Sequence, residues 1–231
     1  MTTSGTYDYS LSSGEGVLAA FERIQIRVPS IRQEHMLTAR RELNFLQAEW
    51  SNKQVNLWKV ELISNTLTQG TATYAVPARV VMMLDAYVSL NYGTADQTDR
   101  YITPMSRTNY ASIAAKSTQG FPTSYWYDRL STAPTFTTWP VADGNGPYTL
   151  NYYACSQMQD ASAYGSQTPD IPYLWTDAIV AGLAHRLARV YAPSLEQQRK
   201  ADAMEAWMIA ATQNVENVPV IISPGISRYY R

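Results

Sequence analysis

Few side chains in this sequence are spaced to do chemistry. His35 and His185 lie far apart in the chain, and no carboxylate spacing near either suggests a metal site. Cys155 falls on an expected strand, with no helix N-terminus or neighbouring basic residue to make its thiol reactive. Asp143-Gly144-Asn145-Gly146 opens like a calcium loop but lacks the further acidic positions that a cage of oxygens requires, so it reads as a turn. There is no phosphate-cradling loop, no GxSxG and no dinucleotide fingerprint. A nucleophile, a base and an orienting group cannot be assembled from these residues. The expectation is a non-enzyme with no catalytic residue, cofactor or metal.

The chemistry that remains is adhesion. In the final segment, VPVIISPGISRYYR, Val220, Ile221, Ile222 and Ile226 are apolar, and Arg228, Tyr229, Tyr230 and Arg231 follow them. Tyr and Arg are enriched among the residues that dominate interface energies. The segment is either a strap over the chain's own helices or a tail that docks on a partner, for instance by adding a strand to an exposed sheet edge. These eight residues are the candidate docking residues. Tyr125, Tyr127, Tyr148, Tyr152 and Tyr153 offer an alternative: a sugar-binding face on a carbohydrate- or receptor-binding tail module. As cross-strand pairs, the same tyrosines would instead hold a sheet together.

Composition agrees with a contact-making protein. Charged residues are 16% of the 231, and Ser, Thr, Asn, Gln and 17 tyrosines fill the deficit. The net charge is −1, with no basic stripe of the kind that marks a nucleic-acid interface. One cysteine permits no intrachain disulfide, which fits a reducing compartment. The first residues lack the pattern of a signal peptide, and no apolar run approaches a membrane span, so a soluble protein made in the cytosol is expected.

The elements that must carry these features follow from periodicity. Ser12 and Glu15 form a capping box ahead of a helix with Val17, Phe21, Ile24 and Val28 on one face, stopped by Pro29. Ser30 and Gln33 suggest a second box, opening a helix to about Ser51. Its seam is Met36, Ala39, Leu43, Leu46 and Trp50. After Lys53 the period drops to two. Residues 58–62 and 72–76 read as a hairpin around Gln69-Gly70, and 79–93 as a strand. Ser106 caps a short helix. Residues 134–158 read as strand, turn, strand, the clearest hairpin of the chain. Asp170 is expected to cap a helix with Pro172 in its first turn. Ser194 with Gln197 is expected to cap the last helix, whose inner face is Ala201, Met204, Met208, Ala211 and Val215. The expected class is α+β: a four-helix bundle made from N- and C-terminal helix pairs, with an inserted, mainly antiparallel β domain and an extended tail. The boundaries are 1–53 and 161–217 for the helical pairs, 54–160 for the β domain and 218–231 for the tail.

Four runs in order, GTATYAVPARVVMMLDAYV, SRTNYASIAAKSTQGFPTSYWYDR, TTWPVADGNGPYTLNYY and DIPYLWTDAIVAGLAHRLA, carry a resemblance. Over residues 66–192 the chain is similar to the head-to-tail adaptor proteins of tailed bacteriophages, also called head-completion, connector or tail tubular proteins, and most resembles those of short-tailed phages. The resemblance implies a homo-oligomeric ring, commonly twelve-fold, under the portal protein of a virion. In such families the C-terminal segment reaches onto the portal. The ring extends the DNA channel, touches packaged DNA only transiently and without sequence preference, and presents a surface to tail nozzle or fibre proteins. No membrane is involved.

Overall fold

Ser12 opens the first helix as the sequence predicts. Its hydroxyl accepts the Glu15 amide at 3.2 Å, and the Glu15 carboxylate accepts the Ser12 amide at 3.0 Å. The computed structural model describes residues 3–7, 9–161 and 165–216. Helix α1 spans Ser13–Arg23. Two of its orphan amides, Ser13 and Gly14, donate to the carbonyls of Gln167 and Gly165 at 2.7 Å each. A Cβ on Gly14 would sit 2.9 Å from the Gly165 oxygen, so this glycine permits the close approach of that loop. The helix ends earlier than expected. Gln25 has φ 66°, and Val28 lies exposed in a 3-10 turn, Val28–Ser30, rather than on the helix face.

Helix α2 spans Gln33–Lys53 and buries Ala39, Leu43, Leu46 and Trp50, four residues of the expected seam. The second capping box does not form. Ser30 donates instead to the Arg27 carbonyl at 3.0 Å, and His35 Nδ1 accepts the Arg32 amide at 2.9 Å.

The middle of the chain is a seven-stranded sheet with β1 at Val60–Leu67, β2 at Thr73–Ala75, β3 at Val80–Leu90 and β4 at Thr98–Pro104. Helix α3, Arg107–Ser112, follows, capped by Ser106 as expected. Then come β5 (Gln119–Gly120), β6 (Ser124–Asp128), β7 (Thr135–Trp139), β8 (Val141–Ala142) and β9 (Tyr148–Ser156). The order is β1-β9-β3-β4-β6-β7-β2, antiparallel except for β4 with β6, while β5 and β8 pair separately. The sheet curls until its two edges approach, where Asn65 on β1 donates to the Ala75 carbonyl on β2 at 3.4 Å. Inside the curl lie Leu67, Val88, Ile102, Phe136, Leu150 and Tyr152, all buried.

Neither expected hairpin is a paired hairpin. The strand β9 arrives last and takes both neighbours in the middle of the sheet. It pairs with β1 from Val60↔Cys155 to Leu67↔Tyr148 and with β3 on its other side. That leaves β1 and β2 on opposite edges. The second pair fails because Pro140 interrupts the chain after β7, so β7 pairs with β6 and β2 while β8 leaves for β5. The Asp143 turn does form, but it leads from β8 into β9.

Two helices complete the described chain: α4 at Thr176–Tyr191 and α5 at Glu196–Ala211. Asp170 does not cap α4. Its carboxylate is taken by Lys59 Nζ at 2.7 Å and the Gln159 amide at 2.9 Å, and a 3-10 turn, Tyr173–Trp175, leads into the helix. Nor does Ser194 cap α5, which follows directly from a 3-10 turn at Pro193–Leu195.

Helices α1, α2, α4 and α5 share one core centred on α4, which packs against the other three. The chain is therefore α+β, with helices from both ends gathered about one hub. Gly182 of α4 faces Leu46 of α2 so closely that a Cβ there would lie 2.8 Å from Leu46 Cδ2. Trp175 joins this core to the start of the sheet. Its ring centroid lies 5.0 Å from both Trp50 of α2 and Trp58 just before β1.

Candidate interaction surface

Helix α5 turns the expected face outward. Ala206, Trp207, Ala210 and Ala211 pack on the shared core, whereas Met204, Met208 and Val215 are exposed at 57%, 47% and 69%, and Ala201 is exposed with them. Of the five residues expected inside, only Ala211 is there. The reason is size. Small alanines let α5 approach α4, and Trp207, the largest apolar group on the helix, seats under Lys53 of α2, whose Nζ lies 4.9 Å from the ring. Both sides of α5 are apolar, so periodicity alone does not choose between them. Ile209 extends the outward stripe.

The end of this helix is pinned. Asn214 Nδ2 donates to the Val55 carbonyl at 2.8 Å, and Asn214 Oδ1 accepts the Leu57 amide at 3.0 Å. The last described residues therefore leave the helical core beside the segment that leads into β1. The eight docking residues Val220, Ile221, Ile222, Ile226, Arg228, Tyr229, Tyr230 and Arg231 lie outside the described residues.

A second exposed stripe lies on α2. Leu37 and Phe45 of α2 stand on the side opposite the seam, with Arg41 between them, all exposed. The signal was there as a spacing of four and four, but the stronger seam masked it. Between the stripes, α2 and α4 are locked by charge. Arg186 meets Glu42 at 3.3 Å and Glu49 at 2.6 Å, and Lys53 meets Glu49 at 2.7 Å. Burial works to raise the Glu49 carboxyl, but Lys53 and Arg186 outweigh it and hold the group below its ordinary range.

The residues weighed for chemistry are built into the fold. His35 packs edge-on to Tyr191 at 4.9 Å and Phe21 at 5.9 Å. His185 lies 3.9 Å from Glu196, and burial depresses its pKa, helped by Arg189. Among the described residues, no group of three or more His, Cys, Asp or Glu is placed to hold a metal. The tyrosines do not gather into a binding face. Tyr125, Tyr148 and Tyr152 are buried inside the curled sheet, Tyr127 is half-buried and donates to the Val80 carbonyl, and only Tyr153 is exposed. Burial pushes the Tyr125 and Tyr152 phenols up to about 12. Asp143 accepts the Asn145 amide and the Tyr148 hydroxyl, both at 2.9 Å, which lowers its pKa and makes it a turn residue. No described helix is long and apolar enough to cross a membrane.

What the surface offers is two apolar helical stripes and, at Asn214, a clasp onto the residues ahead of β1. Compared with known proteins, the sequence model of one family, described as SU10 adaptor protein, matches residues 4–220. No curated protein matches the chain.

Proposed function

The chain belongs to the SU10 adaptor protein family, a family of phage adaptors, and from that premise we propose that it joins the portal to the tail in a phage virion. Copies of the chain form a ring, commonly twelve-fold in adaptors of this kind, that continues the DNA channel below the portal. Packaged DNA passes through it with transient, non-specific contact, as suits a chain with net charge −1. Tail nozzle or fibre proteins bind below. The resemblance to short-tailed phage adaptors supports a virion of that kind.

The observation that carries this reading is the Asn214 clasp. It ties Asn214 to the residues ahead of β1, which supports a reading in which residues 218–231 serve as a separate docking segment while 1–53, 54–160 and 161–217 serve as the body. Val220, Ile221, Ile222, Ile226, Arg228, Tyr229, Tyr230 and Arg231 then bind the portal, the apolar run giving burial and the Tyr-Arg cluster giving anchor contacts. Many weak contacts around a ring multiply into a stable joint. The test is deletion of residues 219–231, followed by electron microscopy of the protein mixed with isolated portal rings. The truncated protein is expected to leave portals bare. Decoration equal to that of the full chain would sink the docking assignment.

A further inference from the structure

We propose that the outward stripes of α2 and α5 are the two halves of one contact between successive copies of this chain. The inference rests on the adaptor reading only for the reason why several copies meet. On α2 the stripe is Leu37, Arg41 and Phe45, four residues apart, all exposed and on the side away from α4. On α5 it is Glu205, Met208 and Ile209, three and four residues apart and all exposed. Each stripe is apolar with one charge set in it, and the charges are opposite.

Those charges are available. Glu205 makes no ion pair among the described residues. Among the described residues Arg41 reaches only Glu42, at 3.8 Å, and Glu42 is held from the other side by Arg186 at 3.3 Å. Charge also decides which faces meet. Two copies joined α2 to α2 would set Arg41 against Arg41, and α5 to α5 would set Glu205 against Glu205. Joining α5 to α2 brings Glu205 to Arg41 and covers both stripes at once. A contact between two different faces leaves one free stripe at each end of a pair, so it repeats head to tail and closes into a ring when the rotation allows. An unrelated partner has no reason to match both stripes with opposite signs. A second copy carries both.

The test uses the full chain with Cys155→Ser and one new cysteine, either Phe45→Cys or Met208→Cys. Both positions are exposed, so folding is not at issue. The two proteins are mixed in equal amounts, oxidised mildly and scored for covalent dimer against each alone. The mixture is expected to exceed either alone by about tenfold, because like-charged faces repel. The doubly substituted chain, Phe45→Cys with Met208→Cys, is expected to give a ladder of oligomers. A Leu130→Cys partner, exposed elsewhere, is the control. A mixed yield no higher than this control overturns the proposal, as does an equally strong dimer from one variant alone. Adding Arg41→Glu to the Phe45→Cys chain should cut the mixed yield, and adding Glu205→Arg to its partner should restore it. An unchanged yield in both steps also counts against the pairing. The cross-link reads contacts between copies alone. If it fails while portal binding persists, this interface is wrong and the adaptor reading stands.

Discussion

The Asn214 side chain accepts the Leu57 amide at 3.0 Å across the whole length of the β insertion in sequence. With its second bond, to Val55, it ties the end of α5 to the residues that open the sheet. Removing it leaves a half-buried amide and carbonyl without partners. Asn214→Ala is expected to cost about 1–3 kcal/mol. In a chain of this size that lowers the melting temperature by about 2–4 °C per kcal/mol. Thermal unfolding checks this. Hydrogen exchange at Leu57 should accelerate in the same variant, and unchanged exchange would show that the clasp does not hold the segment.

Trp175 should be the most sensitive single position in the helical core. It is 2% exposed and touches the rings of both Trp50 and Trp58. Trp175→Ala is expected to destabilise by about 3–5 kcal/mol through the cavity it leaves. Trp175→Phe should cost distinctly less. Urea unfolding of the two variants gives the comparison.

Gly182 sets how closely α4 can approach α2. Alanine there gains about 1 kcal/mol in helix propensity. Against this, its Cβ would press on Leu46, which is itself buried, at a cost of about 1–3 kcal/mol. The net expectation is a loss, cancelled or reversed when Leu46 is also shortened to Val. A double-mutant cycle between the two positions should therefore show coupling. Additive effects would contradict the close contact.

Stability should fall on mild acidification through His185. Burial, then Arg189, lower its pKa below the ordinary 6.5 in the folded chain, while Glu196 opposes them in part. The unfolded chain therefore binds the extra proton first. Stability is full above about pH 6.5, declines as pH drops towards the folded pKa, and levels off below it. His185→Gln should remove this part of the slope. Urea midpoints on either side of about pH 6.5 measure it, and an equal slope in the variant would assign the effect elsewhere.

Local signals are legible where one element satisfies itself. Ser12 with Glu15, the seam from Ala39 to Trp50 and the long strand at 80–90 all needed no distant partner to be recognised. Local signals fail at Ser30 and Ser194, which cap no helix, but the larger failures are non-local. Nothing near β9 says that it will enter between β1 and β3, because each of those strands offers an equally good edge. Asp170 looks like a helix cap until Lys59 claims its carboxylate. Helix α5 has apolar residues on both sides, so its inward face depends on Trp207 finding Lys53 rather than on any period in the chain. The α2 stripe has a periodic signal, but that its face stays exposed is decided by what fails to cover it, which no local pattern states.

The position of α4 at the hub has a consequence for biosynthesis. Helices α1 and α2 are complete by Lys53, but the helix that covers them begins at Thr176. During translation at ~5–20 residues per second, the intervening ~120 residues take roughly 6–25 seconds to emerge. For that interval Phe21, Leu43, Leu46 and Trp50 have no hub to bury them, and β1 waits about two-thirds as long for β9. The nascent chain must stay unassembled until nearly its last quarter is made, which makes its early apolar seams natural clients of host chaperones.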